Sequence, residues 1–126
     1  MDSPSHSVLV IDDDPSIRLL CRVNLELDGW TVLEAGTLEQ ARRELAGGGI
    51  GVVLLDVHVG TADGLAFLAE LRRDRPTLAI ALLTGSTGAS PDDRARADAV
   101  LSKPFTLQEL NETVRKLAAP PVEKAG

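Results

Sequence analysis

The chain has 126 residues, 44% of them hydrophobic and 25% charged, with a formal net charge of −6. That length can bury a core without disulfides or a structural metal, and the balance is that of a globular domain rather than a disordered segment. The acidic charge argues against nucleic-acid binding by this segment, because such binding needs a basic field to displace counterions. One cysteine and two histidines give no zinc cluster, and no apolar run nears the ~20 residues of a membrane span. Met1 to Ser7 is too short and polar for a signal peptide. Cys21 has no internal disulfide partner, which fits a reducing compartment. The expected location is therefore cytoplasmic, with no membrane partner, and Cys21 reads as a small buried hydrophobe.

In chain order, Ser7-Val8-Leu9-Val10-Ile11 is a β-branched apolar run that halts at acidic residues. Asp14-Pro15 then reads as an N-cap with proline in the first helical turn, and Ile17, Leu20, Cys21 and Leu25 form a helical stripe ended by Gly29. Trp30 to Ala35 is a weaker strand candidate. Thr37-Leu38-Glu39-Gln40 has the pattern of a capping box, and Leu38, Ala41 and Leu45 form the next stripe, stopped at Gly47-Gly48-Gly49. Gly51 to Asp56 and Leu78 to Thr84 repeat the continuous apolar design of the first strand, with Gly64, Phe67, Leu68 and Leu71 as a helical stripe between them. Ser90-Pro91-Asp92-Asp93 opens a short helix before a last weak strand, Ala99 to Ser102. Thr106-Leu107-Gln108-Glu109 is a second capping-box pattern, leading into Leu107, Leu110, Val114 and Leu117.

Continuous apolar strands suit a sheet covered on both faces. Five of them alternating with five helices predict an α/β, doubly wound, five-stranded parallel sheet with right-handed crossovers. The domain is expected to span residues 1–119, with 120–126, opened by Pro120-Pro121, as a linker or free C-terminal tail.

Ligands of such a sheet bind beyond the carboxyl ends of its strands. Those ends deliver Asp12, Asp13 and Asp14, then Asp56, then Thr84, then Lys103. Each has a plain structural reading: Asp14 as a helix cap, Asp56 as a strand-end acid, Thr84 as a β-branched strand residue, Lys103 as a solvated charge. Together, at four successive strand ends, they form a site. Converging carboxylates repel unless a cation sits among them, and Mg²⁺ (or Mn²⁺) suits an oxygen-rich set that leaves waters for a phosphate to replace. A lysine and a hydroxyl complete a pocket for a phosphoryl group.

Val8-Leu9-Val10-Ile11-Asp12-Asp13-Asp14-Pro15, Leu54-Leu55-Asp56-Val57, Leu83-Thr84-Gly85 and Leu101-Ser102-Lys103-Pro104-Phe105 together resemble the receiver domain of bacterial two-component response regulators. The resemblance runs from about Ser7 to Leu117 and implies the flavodoxin-like strand order 2-1-3-4-5. It implies that Asp56 is the phosphoacceptor, taking its phosphoryl group from a sensor histidine kinase or phosphotransfer protein. Asp12, Asp13, Asp56 and the backbone carbonyl of His58 would hold Mg²⁺. Lys103 would pair with the phosphoryl oxygens and the Thr84 hydroxyl would move to bind them. A cis peptide between Lys103 and Pro104 is implied as well. Such a domain phosphorylates and dephosphorylates only itself, so it is not expected to be an enzyme acting on an external molecule.

Some positions depart from the family. Val59 and Gly60 replace an expected Met-Pro, so that loop is expected to be looser, while Gly64 is kept. Val100 stands in place of the switch aromatic, and only 19 positions separate Thr84 from Lys103, about one helical turn fewer than usual. An atypical output face is therefore expected, with Ser86 to Ala97 the most mobile ordered stretch and ordered on phosphorylation. The output partner or effector domain is unknown. Among alternatives, a docking-only receiver fold is opposed by the complete set of site residues. A haloacid dehalogenase phosphatase would want an acid where His58 stands, and a flavodoxin would want hydroxyls, glycine and free amides where Asp12 to Asp14 stand.

Overall fold

The computed structural model describes residues 7–85 and 89–118. Part of the stretch expected to be mobile, Ser86 to Gly88, and the whole of the expected tail, 120–126, lie outside the described residues. The elements follow in the order β1 (Ser7–Ile11), α1 (Pro15–Leu27), β2 (Thr31–Ala35), α2 (Leu38–Ala46), β3 (Ile50–Asp56), β4 (His58–Val59), β5 (Ala62–Asp63), α3 (Gly64–Asp74), β6 (Ala79–Thr84), α4 (Pro91–Arg96), β7 (Ala99–Ser102) and α5 (Leu107–Ala118).

The main sheet has five parallel strands in the order β2-β1-β3-β6-β7. This is the expected 2-1-3-4-5 arrangement, since β4 and β5 form a separate antiparallel pair. The stretch after Asp56, expected as a loop, pairs His58 with Asp63 and Val59 with Ala62 in this short hairpin. Gly60 turns that hairpin at φ +66°, a conformation L side chains rarely adopt.

Alternate residues of each strand face opposite sides of the sheet. Leu9, Ile11, Val53, Leu55, Ile80 and Leu82 point to one side, where Ala41 and Leu45 of α2 and Phe67, Leu68 and Leu71 of α3 cover them. Val8, Val10, Val52, Leu54, Ala81 and Leu83 point to the other, under Cys21 and Leu25 of α1 and Leu110 and Val114 of α5. With both faces buried, continuous apolar strands are required. Trp30 packs beside the second cluster just before β2, at the edge of the sheet away from the strand carboxyl ends.

The helix starts follow the sequence patterns with one difference. Asp14 accepts from the Ser16 amide, and Thr106 and Glu109 form a reciprocal capping box. Thr37 accepts from the Gln40 amide, but Gln40 Oε1 reaches past Thr37 to the Gly36 amide. The α1 stripe also needs correction. Cys21 and Leu25 are buried, whereas Leu20 is exposed along with Leu19, Val23 and Leu27. Burial, with the Asp12 charge next, pushes the Cys21 thiol up to about 12.

α1 and α5 are joined at the surface by Arg115, whose Nε and Nη2 donate to the two Asp28 oxygens at 2.9 and 2.6 Å. That pairing holds the Asp28 carboxyl below its usual range. A depressed carboxyl stabilises the fold above its unfolded pKa of about 3.9 and loses that contribution as pH falls through the lower folded value. Asp28→Asn should therefore unfold slightly more easily than wild type by a margin constant near neutrality and fading only in strong acid. Urea midpoints across that range would show it, and a margin already fading near pH 7 would contradict it.

α4 has no buried residue. It opens with a Ser90–Asp93 capping box and ends against α3, where Arg72 Nε donates to the Arg96 carbonyl at 2.9 Å. Arg72 Nη2 also meets Asp98 Oδ2 at 3.0 Å, and that oxygen accepts the Ile80 amide at 2.8 Å.

Candidate functional site

Parallel pairing aligns the strand ends. Ile11 lies opposite Leu55, Asp56 opposite Leu83, and Thr84 opposite Ser102, so Asp12, Asp56, Thr84 and Lys103 emerge along one edge. Asp12 and Thr84 are each 1% exposed and Asp56 8%, while Asp13 is exposed.

Lys103 joins the carboxylates. Its Nζ donates to Asp12 Oδ2 at 2.9 Å and stands 3.4 Å from Asp56 Oδ1. The Lys103 amide also donates to the Thr84 carbonyl at 2.7 Å, and the Lys103–Pro104 peptide is cis, as the resemblance implies. Burial works against the ammonium charge, but Asp12 and Asp56 outweigh it and hold the Lys103 pKa above its ordinary value. Burial and the Asp12 charge raise the Asp56 carboxyl, against the pull of Lys103 and of the His58 backbone. Asp56 is thus the less satisfied carboxylate of the pair.

One oxygen each from Asp12, Asp13 and Asp56 lie within 4.8 Å of one another. A set of hard carboxylate oxygens at this spacing, part buried and part open to solvent, fits Mg²⁺ in chemistry. The His58 side chain is exposed at the start of β4. The Thr84 hydroxyl reaches the Gly85 carbonyl at 3.3 Å instead of the carboxylates.

Two supports complete the site. The Gly64 amide donates to the Val57 carbonyl at 2.8 Å, and a Cβ on Gly64 would overlap the Asp56 carbonyl oxygen. Arg18 was not marked by any sequence pattern, since its partners Asp12 and Glu34 meet it only in the fold.

Against this geometry, comparison with known proteins is specific. A family model described as the response regulator receiver domain matches residues 8–115. The chain belongs to the response regulator receiver family. The receiver chain is 33% identical to the KDP operon transcriptional regulatory protein KdpE of Escherichia coli, over 86% of its own length and 49% of that protein's. It is 38% identical to the transcriptional regulatory protein AruR of Pseudomonas aeruginosa, over 87% of its length and 48% of that protein's. The chain thus spans about half the length of these curated relatives. Among solved structures, response regulator TrrA of Thermotoga maritima, in complex with Mg²⁺-BeF, is 32% identical with a TM-score of 0.80. That match covers 88% of this chain and 97% of TrrA. The receiver domain of NtrX from Brucella abortus is 26% identical with a TM-score of 0.82 and the same coverage, 88% and 97%.

Asp13 and the metal can be tested directly. Asp13→Ala should lower Mg²⁺ affinity at least about tenfold, since outer-shell changes alone cost 10–100-fold. Losing one of three crowded carboxylates should also raise the stability of the metal-free protein. Calorimetric Mg²⁺ titration beside urea unfolding measures both, and an unchanged affinity would remove Asp13 from the ligand set.

Proposed function

We propose that this receiver accepts a phosphoryl group on Asp56, in a Mg²⁺-dependent reaction, from a phosphohistidine on a sensor kinase or phosphotransfer protein. The observation that carries this reading is the Lys103 ammonium set between Asp12 and Asp56, with Asp13 alongside, at the carboxyl edge of the sheet. The complex of the Thermotoga relative with Mg²⁺-BeF supports it, because that protein holds a metal and a fluoride group together.

In the reaction, an Asp56 oxygen attacks phosphorus. The new O–P bond forms as the donor's N–P bond breaks, and the imidazole leaves with its electron pair. Lys103 stays protonated throughout and faces the charge that accumulates on the phosphoryl oxygens. Asp12, Asp13, Asp56 and the His58 carbonyl are the residues that would hold Mg²⁺, which when bound supplies positive charge against the carboxylates and the phosphoryl oxygens. Thr84 would exchange its bond with the Gly85 carbonyl for one with a phosphoryl oxygen. Catalysis here is positioning and charge neutralisation, with the protein as its own substrate.

Output would run through a face that lacks an aromatic reporter. Val100 is half-buried against the Leu9 side of the core and stiff at its first torsion. α4 is 6 residues long and held mainly by its cap and by Arg72. The proposed unit is the receiver over residues 1–119, followed by a linker or tail, acting in the cytoplasm on an effector.

Incubation with Mg²⁺ and acetyl phosphate should add one phosphoryl group by intact mass, and Asp56→Asn should take up none. Equal uptake by Asp56→Asn would place the acceptor elsewhere.

A further inference from the structure

Asp12 is held at every polar atom of its backbone and side chain. Its amide donates to the Ala35 carbonyl at 3.1 Å, Oδ1 accepts the Asp14 amide at 2.9 Å, and Oδ2 accepts Lys103 Nζ at 2.9 Å. Its carbonyl oxygen accepts Arg18 Nη1 at 2.7 Å. Asp13 differs. Among the described residues no hydrogen bond or ion pair holds its carboxylate, so its place beside Asp12 and Asp56 depends on the backbone that carries it. A peptide unit is planar. Fixing the Asp12 carbonyl oxygen therefore fixes the plane that carries the Asp13 amide and Cα, and with the Asp14 amide held on Asp12 Oδ1 the backbone is anchored on both sides of the Asp13 side chain.

Arg18 is itself fixed. Its Nε donates to Glu34 Oε1 at 2.9 Å, and the other Glu34 oxygen accepts Arg22 Nη1 from one turn further along α1 at 2.7 Å. A Cβ on Gly36 would come within 3.0 Å of Arg18 Nη1, so the bare glycine leaves room for the guanidinium. Glu34 lies in β2 and Asp12 just beyond β1, so the arginine ties a neighbouring strand to the turn bearing two metal-site carboxylates.

We infer that Arg18 is a positioning residue for the cation site: by clamping the Asp12–Asp13 peptide it aims the otherwise unsupported Asp13 carboxylate. The inference rests on the Mg²⁺ site proposed above and adds the residue that sets its geometry. Glu34 acts one step further out by orienting Arg18.

Charge alone predicts the opposite sign. A guanidinium close to a cation site repels the cation, so removing it would tighten binding, and replacing it with lysine would change little. A clamp predicts weaker binding in both cases, because lysine keeps the charge but not the two-directional fork.

The experiment is calorimetric titration with Mg²⁺ of wild type, Arg18→Lys, Arg18→Met, Glu34→Gln, Asp13→Asn and the Arg18→Lys/Asp13→Asn double variant. Thermal unfolding of each metal-free protein is measured alongside. Arg18→Lys and Arg18→Met should bind Mg²⁺ about 10–100-fold more weakly, the range for outer-shell residues, with Glu34→Gln weaker in the same direction. In the Asp13→Asn background, Arg18→Lys should have no further effect, a non-additivity that general loosening of the fold would not produce. Should Arg18→Met misfold, the lysine and Glu34 variants still decide. Wild-type affinity in Arg18→Lys, or tighter binding in Arg18→Met, would overturn the inference while leaving the metal site intact. A wild-type chain that binds no Mg²⁺ would overturn the metal-site reading and this inference with it.

Discussion

Lys103→Met should unfold at markedly lower urea than wild type in the absence of divalent cations. The substitution leaves Asp12, 1% exposed, and Asp56, 8% exposed, facing each other with no cation between them. Breaking a buried ion pair from one side costs about 3–5 kcal/mol. The Lys103 side chain is 26% exposed, and solvent screening brings the expected loss to about 2–3 kcal/mol. Mg²⁺ should narrow the gap, because the vacated carboxylates would take a cation without competition from the ammonium. A ligand at a hundred times its dissociation constant stabilises by about 2.7 kcal/mol, enough to be read as a shift in midpoint. Phosphoryl uptake should also fall sharply, since the group facing the phosphoryl oxygens is gone. Equal midpoints for the two metal-free proteins would show that Lys103 is a solvated charge, the plain reading that its position in the sequence allowed.

Gly64→Ala should be almost as costly through a different cause. The added Cβ would overlap the Asp56 carbonyl oxygen and stand 2.7 Å from that of Val57. Both are backbone atoms at the end of a central strand, so neither can swing aside as a flexible side chain would. Overpacking in a well-filled interior costs about 1–3 kcal/mol and occasionally more, and this position belongs at the upper end. Relief requires the start of α3 to lift away from β3, which breaks the Gly64 amide bond to the Val57 carbonyl and moves Asp56 itself. Stability and phosphoryl uptake should therefore fall together. A variant with normal stability would mean that the β3–α3 junction opens far more easily than the contacts here indicate.

The main sheet was legible because burial on both faces leaves an unambiguous trace, the uninterrupted apolar runs at Val8–Ile11, Val52–Leu55 and Ile80–Leu83. The candidate site was legible because parallel pairing brings strand ends together wherever the register falls. Three things were not. The β4–β5 hairpin has strands of two residues each, too short for any period to register. Leu20 fits the helical spacing of Ile17, Cys21 and Leu25 but lies at the margin of the stripe, and periodicity does not say how far the neighbouring helix reaches over it. The arginine contacts depend on distance through space. Arg18 meets Glu34 across 16 positions and Arg72 meets Asp98 across 26, so nothing local marks these arginines out from the others.

The sealed thiol of Cys21 makes the chain its own stopwatch. It is the single cysteine in 126 residues, lies fully buried on the inner face of α1, and has its ionisation pushed up to about 12. Only a thiolate attacks an alkylating reagent, and a free cysteine ionises near 8.5. In the closed fold the sulfur is shielded twice, by access and by protonation, so labelling proceeds only through molecules that have opened. The rate at which an iodoacetamide tag accumulates then follows how often the Cys21 site stands open, with no mutation needed. Because α1 begins at the acidic turn, the same clock run with and without Mg²⁺ times how firmly a cation bolts that helix down.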